Sequence, residues 1–181
     1  NAPIRQYSLS AMTGNETSNL YISGDYQDQD GIFRGQSFKK YQVRINGETG
    51  NKWFRIGNNL SFGHTSRKLI GSSGDGFGPG NELSAVRFAL IAAPVFSGVN
   101  KDGSNVNVTS LLGDPLLYGD GNANPLVLID QTDWHIDRSR IFGNVYAEVN
   151  ILDGLKLRTT LGGDFSFEKE KLFKEFLSAA I

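Results

Sequence analysis

The chain has no cysteine, which excludes disulfides and thiolate metal centres. Histidine is nearly as scarce. His64 and His135 are the only two, a lone pair without cysteine that is weak evidence for zinc, so they read as interface or loop-packing residues. No sign of charge prevails: 18 basic residues face 19 acidic ones. There is no basic field to hold nucleic acid and no acidic block to act as a solvating tail. No run of 18 apolar residues occurs, which excludes a membrane helix. It does not exclude a membrane barrel, whose strands are individually weak hydropathy signals. Proline is low at 5, whereas glycine reaches 22 and phenylalanine 12, a β-rich composition with many turns.

What is present is alternation. The clearest stretch is 137–169, where Ile141, Gly143, Val145, Ala147, Val149 and Ile151 oppose Arg140, Phe142, Asn144, Tyr146, Glu148 and Asn150. After the turn Leu152-Asp153-Gly154, Leu155, Leu157, Thr159, Leu161, Phe165 and Phe167 oppose Lys156, Arg158, Thr160, Asp164 and Ser166. Side chains switch faces along a strand, so each strand is apolar on one face and polar on the other. Similar strands are predicted over 4–12, 19–27, 37–46 and 53–62, with Asn58 a lone polar residue in an apolar file. With strands over 139–151 and 155–167 there are six. A tilted membrane-crossing strand needs about 9–11 residues, which these lengths match.

The connections sort by length. Those around Asn15, around Asn46-Gly47 and at Asp153-Gly154 are short. Those after the second and fourth strands are longer, the second of them very long, over 63–135. An up-and-down barrel places tight turns on one rim and long loops on the other. Tyr26, Phe38, Phe62, Phe165 and Phe167 fall toward the long connections, and Trp53 and Phe54 toward the short turns, as interfacial aromatic girdles would. Within the long connection, helical spacing of Leu83, Val86, Leu90 and Ile91 predicts a helix over 81–93, ended by Pro94. Residues 94–133 read as loop, and 168–181 as a short helix or further loop.

The expected architecture is an all-β, antiparallel, up-and-down transmembrane barrel segment. Six strands are too few to close such a barrel, so a longer chain is expected. Candidate lumen-facing residues are Arg44, Arg55, Arg140, Asn144, Glu148 and Arg158, while the central parts of the apolar files carry no charge. No catalytic, cofactor or metal site is expected. Gly74–Gly80 precedes a helical segment but lacks the Lys-Ser/Thr pair of a phosphate loop. Asp102–Asn105 and Asp120–Asn124 lack the glycine and glutamate of a calcium-binding loop and read as turns. Asn15-Glu16-Thr17 and Asn107-Val108-Thr109 fit the glycosylation sequon, a short pattern common by chance. The alternation also suits a small outer-membrane barrel acting as adhesin or enzyme, with further strands inside 95–130. A soluble carbohydrate-binding sandwich is a third reading.

Several stretches together resemble the SusC/RagA family of TonB-linked outer-membrane transporters of Bacteroidetes. They are Tyr21-Ile22-Ser23-Gly24-Asp25-Tyr26-Gln27-Asp28-Gln29-Asp30-Gly31-Ile32, Phe38-Lys39-Lys40-Tyr41-Gln42-Val43-Arg44-Ile45-Asn46 and Ile56-Gly57-Asn58-Asn59-Leu60-Ser61-Phe62. Asn124-Pro125-Leu126-Val127, Asp137-Arg138-Ser139-Arg140-Ile141-Phe142-Gly143 and Leu152-Asp153-Gly154-Leu155-Lys156-Leu157-Arg158 follow in the family's order. The resemblance implies part of a barrel of about 22 strands with an internal plug. It implies import of glycan fragments or peptides, energised through TonB, with a SusD-like surface lipoprotein as lid. It places the chain in the bacterial outer membrane, with 63–135 outside the cell and Leu152-Asp153-Gly154 in the periplasm. Val145 and Leu157 would face lipid, and polar residues such as Arg44 and Arg140 would meet the plug. Plug, N-terminal domains and TonB-contacting segment have no counterpart in this stretch, so no energy-coupling residue carries over.

Overall fold

The computed structural model describes residues 2–70, 85–91, 98–105 and 124–174. Six strands form one sheet in strict sequence order: β1 (Ile4–Gly14), β2 (Ser18–Asp30), β3 (Ser37–Gly50), β4 (Phe54–Leu69), β5 (Thr132–Leu152) and β6 (Leu155–Lys174). Among the described residues two short helices, α1 (Ala85–Ile91) and α2 (Pro125–Gln131), lie between β4 and β5 in the chain. The fold is therefore all-β and up-and-down, as the alternation predicts.

Register keeps like against like. Ile22 lies opposite both Ala11 and Ile45, and Tyr26 lies opposite both Tyr7 and Tyr41. A slip of one residue would turn every apolar side chain of a strand to the other face. Along this register, rings line up across four strands. Tyr7 and Tyr26 are 6.3 Å apart between centroids, Tyr26 and Tyr41 5.0 Å, and Tyr41 and His64 6.3 Å. Only Tyr26 of this row is expected from the sequence. Tyr7 and Tyr41 join it through register, which a single strand's pattern does not reveal.

On β5 the burial is inverted relative to a water-soluble sheet, whereas β1, and β6 as far as Phe173, are exposed on both faces. On β5, Val145, Ala147 and Val149 are exposed, while Asn144, Tyr146, Glu148 and Asn150 are half-buried. Leu9, Ile22, Val43, Ile56, Leu157, Leu161 and Phe165 are exposed as well, all from the apolar files. The buried polar side chains of the sheet, Ser23 and Ser61, lie in the polar files. The buried apolar residues among those described are Ile70 and Ala85, and both lie outside the six strands. Asn58, the polar residue in an apolar file, spends its amide on the sheet by donating to the Ile45 carbonyl at 3.3 Å.

Two short turns are built alike. The Asn15 amide nitrogen donates to the Ser18 carbonyl, and its side-chain oxygen accepts from the Thr17 and Ser18 amides at 2.9 and 2.8 Å. Asn51 repeats this with the Phe54 carbonyl and the Trp53 and Phe54 amides, at 2.8 and 3.0 Å for the latter two. The hairpin expected at Asn46-Gly47 is thus displaced: β3 continues to Gly50 and the chain reverses at Asn51. The reason is local, because an asparagine side chain that mimics a backbone acceptor closes a turn by itself. The third turn uses Gly154, whose φ of 86° is open to glycine at no steric cost.

The chain separates into two contact units: 1–30, 37–67 and 136–169 in the first, and 31–36, 68–135 and 170–181 in the second. Within the second, α2 starts at Asn124, which is fully buried. Its side-chain oxygen accepts from the Leu126 amide at 3.0 Å and its amide donates to the Gly98 carbonyl at 2.8 Å. Asp130 on α2 accepts from the Asn105 amide at 2.7 Å and lies 3.5 Å from Arg34. Trp134 donates its indole N–H to Glu170 at 2.7 Å, and α1 packs against α2.

Several boundaries differ from those read off the sequence. α1 lies inside the expected helix 81–93, whose ends fall outside the described residues. The expected loop 94–133 contains α2 and the start of β5, and the connection between β4 and β5 is 70–131 rather than 63–135. Asn124 and Pro125 are the missed signal, a cap followed by proline at the first helical position. The expected helix or loop over 168–181 is strand as far as Lys174, because the Lys/Glu alternation there has a period of two. Gly71–Gly80, Asp120–Ala123 and the Asn107 sequon lie outside the described residues.

Gly143 marks the closest strand approach: its φ is 149°, and a Cβ there would stand 2.0 Å from the Asn59 carbonyl oxygen. Gly143→Ala is expected to lower unfolding free energy by about 1–3 kcal/mol. Gly24→Ala, whose Cβ would meet nothing within 4 Å, should change it by about 0.5 kcal/mol or less. Urea unfolding in detergent measures both, and equal losses would contradict this account of the β4–β5 approach.

Candidate functional site

The polar face of the sheet carries the organised chemistry. Toward the short turns, Glu48 of β3 accepts a short hydrogen bond from the Tyr146 hydroxyl of β5, and Arg55 of β4 lies 3.4 Å from Glu48. The Tyr146 ring crosses β4 at Gly57, where a Cβ would stand 2.4 Å from the ring. Glycine is required there because any side chain would displace the tyrosine. Arg158 of β6 stacks over the same ring at 3.8 Å from its centroid. Glu148 then receives two cations, Lys156 at 3.6 Å and Arg158 at 3.9 Å. Its side chain is only 15% exposed, against 63% and 54% for Lys156 and Arg158, so the carboxylate lies under its partners.

Nearer the long connections, Arg140 of β5 grips Asp164 of β6 through Nε at 2.8 Å and through a second, shorter bond from Nη2. Its guanidinium also lies over the Phe142 ring at 5.2 Å. Arg138 donates from Nε to the Ser166 hydroxyl at 3.0 Å, with Glu168 at 3.9 Å. Gln42 donates to the hydroxyl of the buried Ser61 at 3.3 Å.

Of the six candidate residues read from the sequence, Arg55, Glu148 and Arg158 converge through Glu48 and Tyr146. Arg140 belongs to a separate pair with Asp164. Asn144 is half-buried beside Gly162, whose Cβ would lie 3.6 Å from its own. Arg44 sits opposite Ser23 in the sheet, and among the described residues it has no ion-pair partner. Glu48 and Tyr146 are the members that sequence reasoning missed. Parity placed Tyr146 on the polar face, but Glu48 lay beyond the expected strand 37–46, and only the continuation of β3 to Gly50 and its pairing through to β5 bring them together.

Among the described residues no group of histidine, aspartate and glutamate could hold a metal ion. His64 bonds Ser139 at 3.0 Å and His135 bonds Asp133 at 2.7 Å. Asp102, in one of the turns compared with calcium loops, is taken up by Ser104, whose amide and hydroxyl donate to it at 2.9 and 2.6 Å. Those bonds favour the carboxylate and hold its pKa below the ordinary value.

Comparison with known proteins follows the geometry. No family model matches the sequence. The chain is 29% identical over 165 residues to the TonB-dependent receptor P3 of Formosa agariphila, covering 89% of this chain and 15% of that receptor. It superposes with a TM-score of 0.69 on the RagAB peptide importer in its closed-closed state and equally in its open-open state. In each case identity is 23%, over 94% of this chain and 18% of the other. Six strands in one order are shared with the solved importer, and one relative is matched along nearly the whole stretch. The chain is similar to a stretch of a TonB-dependent receptor and has the fold of a stretch of the RagAB importer. It spans less than a fifth of the proteins it matches. Those relatives are named as receptors and importers, not as enzymes.

Two measurements test the site. Glu148→Gln should cost about 1 kcal/mol, the scale of partly exposed ion pairs. A double-mutant cycle with Arg158→Gln should return a coupling of about 0.2–1 kcal/mol that shrinks in high salt, and zero coupling would dissolve the pair. For Asp102 the folded pKa lies below the unfolded one, so its contribution is present above the unfolded value and is lost as pH falls through the folded one. Hydrogen exchange at the Ser104 amide should therefore accelerate only in acid below the ordinary carboxylate range. Asp102→Asn should remove that pH dependence.

Proposed function

We propose that this chain is part of the wall of an outer-membrane transporter that imports peptides or glycan fragments in TonB-dependent fashion. The carrying observation is the inverted sheet, with apolar files exposed and polar files holding the ion pairs. A bilayer outside and a polar interior inside are the surroundings that such a sheet demands. The row of Tyr7, Tyr26, Tyr41 and His64 suits the interfacial girdle at the rim of the long connections. The rim with the Asn15, Asn51 and Gly154 turns would then face the periplasm, and 70–131 would face outward.

Within this reading Arg44, Arg55, Arg140, Asn144, Glu148 and Arg158 face the lumen, where a plug or solute meets them. The likeness to a protein named as a peptide importer supports peptide cargo. A SusD-like lipoprotein is the proposed partner on the long-connection side, and TonB would engage parts of the transporter beyond this stretch.

The sidedness is testable in the full-length transporter folded into bilayers. Val145→Arg should cost about 2–4 kcal/mol if that residue faces mid-membrane lipid. Asn144→Arg, one position along, should cost much less. Equal costs would sink the sidedness, and loss of the transporter gene without loss of peptide or glycan uptake would sink the function.

A further inference from the structure

On the polar face, β3, β4 and β5 enclose a cleft of about 240 Å³ that the ion-pair cluster of Glu48 and Glu148 does not touch. Lys40, Gln42, Ser61, Thr65, Arg138 and Arg140 line it, with Phe142 as an apolar wall. The lining therefore offers three cations and no carboxylate. The carboxylates nearby are committed elsewhere: Asp164 to Arg140, Glu168 toward Arg138, and Asp25, across the sheet from Gln42, to the Ser8 hydroxyl at 2.6 Å.

The three cations differ in readiness. Arg140 is fixed by its two bonds to Asp164 and by Phe142, so it is a stationary positive wall. Arg138 uses Nε on Ser166 and holds Glu168 only at 3.9 Å, beyond hydrogen-bond range, which leaves its terminal nitrogens able to donate. Lys40 has no ion-pair partner among the described residues and is half-buried. A planar anion placed between Lys40 and Arg138 would gain charge-assisted bonds from donors already oriented. The Thr65 and Ser61 hydroxyls supply neutral donors beside it, and the Phe142 ring accommodates a short aliphatic stem.

We propose that this cleft binds a carboxylate of the transported solute, and that the solute is an acidic peptide. The proposal rests on the polar face being the lumen, as argued above. The same carboxylate chemistry could come from another segment of the transporter itself, and the experiment separates the two sources.

The test uses the full-length transporter in nanodiscs, with a C-terminally amidated octapeptide rich in glutamate and its glutamine counterpart, each carrying an uncharged fluorophore. The wild type should bind the glutamate peptide about tenfold more tightly or better, the scale of charge-assisted contacts. Lys40→Gln combined with Arg138→Gln should bring the two peptides to within about twofold by removing those contacts. Thr65→Glu, which places a carboxylate in the cleft while sparing both cations, should do the same. No discrimination by the wild type, or discrimination that survives these variants, overturns the proposal. If the double variant melts at lower temperature while discrimination persists, the carboxylate is the transporter's own and the solute proposal fails. Labelling separates this failure from failure of the underlying reading. Thr65→Cys should react with a hydrophilic maleimide in the bilayer-embedded transporter and Val145→Cys should not. The reverse pattern would refute the lumen assignment itself, whereas the expected pattern without peptide discrimination would refute only the acidic-peptide site.

Discussion

A backbone N–H or C=O taken out of water without a partner costs several kcal/mol, and lipid offers no partner. This sheet meets that constraint along its interior strands. Strands in sequence order pair neighbour to neighbour, so each interior strand is hydrogen-bonded on both sides. With the backbone paired in this way, apolar and polar side chains sort to opposite faces of the sheet. Asn58 follows the rule in miniature: a polar side chain in an apolar file turns its amide onto the Ile45 carbonyl.

The polar face has the opposite difficulty. Charged groups gathered on one face are costly where nothing compensates them, and apart from cations such as Arg44 and Lys40 the polar face pairs its charges within the sheet. Compensation runs across strands rather than along them: β3 to β5 at Glu48 and Tyr146, β5 to β6 at Glu148 with Arg158 and at Arg140 with Asp164. Each such contact also reports register, since a shift of one residue would carry its members to opposite faces. Pairing and sidedness are thereby specified by the same residues.

The two faces were legible in the sequence because a period of two survives in any window of a few residues. The all-β, up-and-down order was legible from connection lengths. What could not be read was anything that depends on which strand lies beside which. Tyr7 and Tyr41 join Tyr26 only through register, and Glu48 meets Tyr146 only because Gly57 lets the ring cross β4. The turn at Asn51 was hidden behind the stronger Asn46-Gly47 signal, which tertiary pairing overrode by continuing β3 to Gly50. α2 was missed because seven residues are too few to display a helical period, although Asn124 and Pro125 announce its start.

The twin turns at Asn15 and Asn51 bear on how such a sheet is assembled. Each closes with bonds to one side chain from the amides of the second and third residues after it, so neither turn waits for distant parts of the chain. Joined by a turn that forms locally, β1 with β2 and β3 with β4 are hairpins of low contact order, and such pairings form before the entropy of large loops has to be overcome. Only the juncture of β4 with β5 must close a long span of chain. Assembly of the sheet would therefore meet the β4–β5 juncture as its slow step, and the earlier hairpins as ready-made parts.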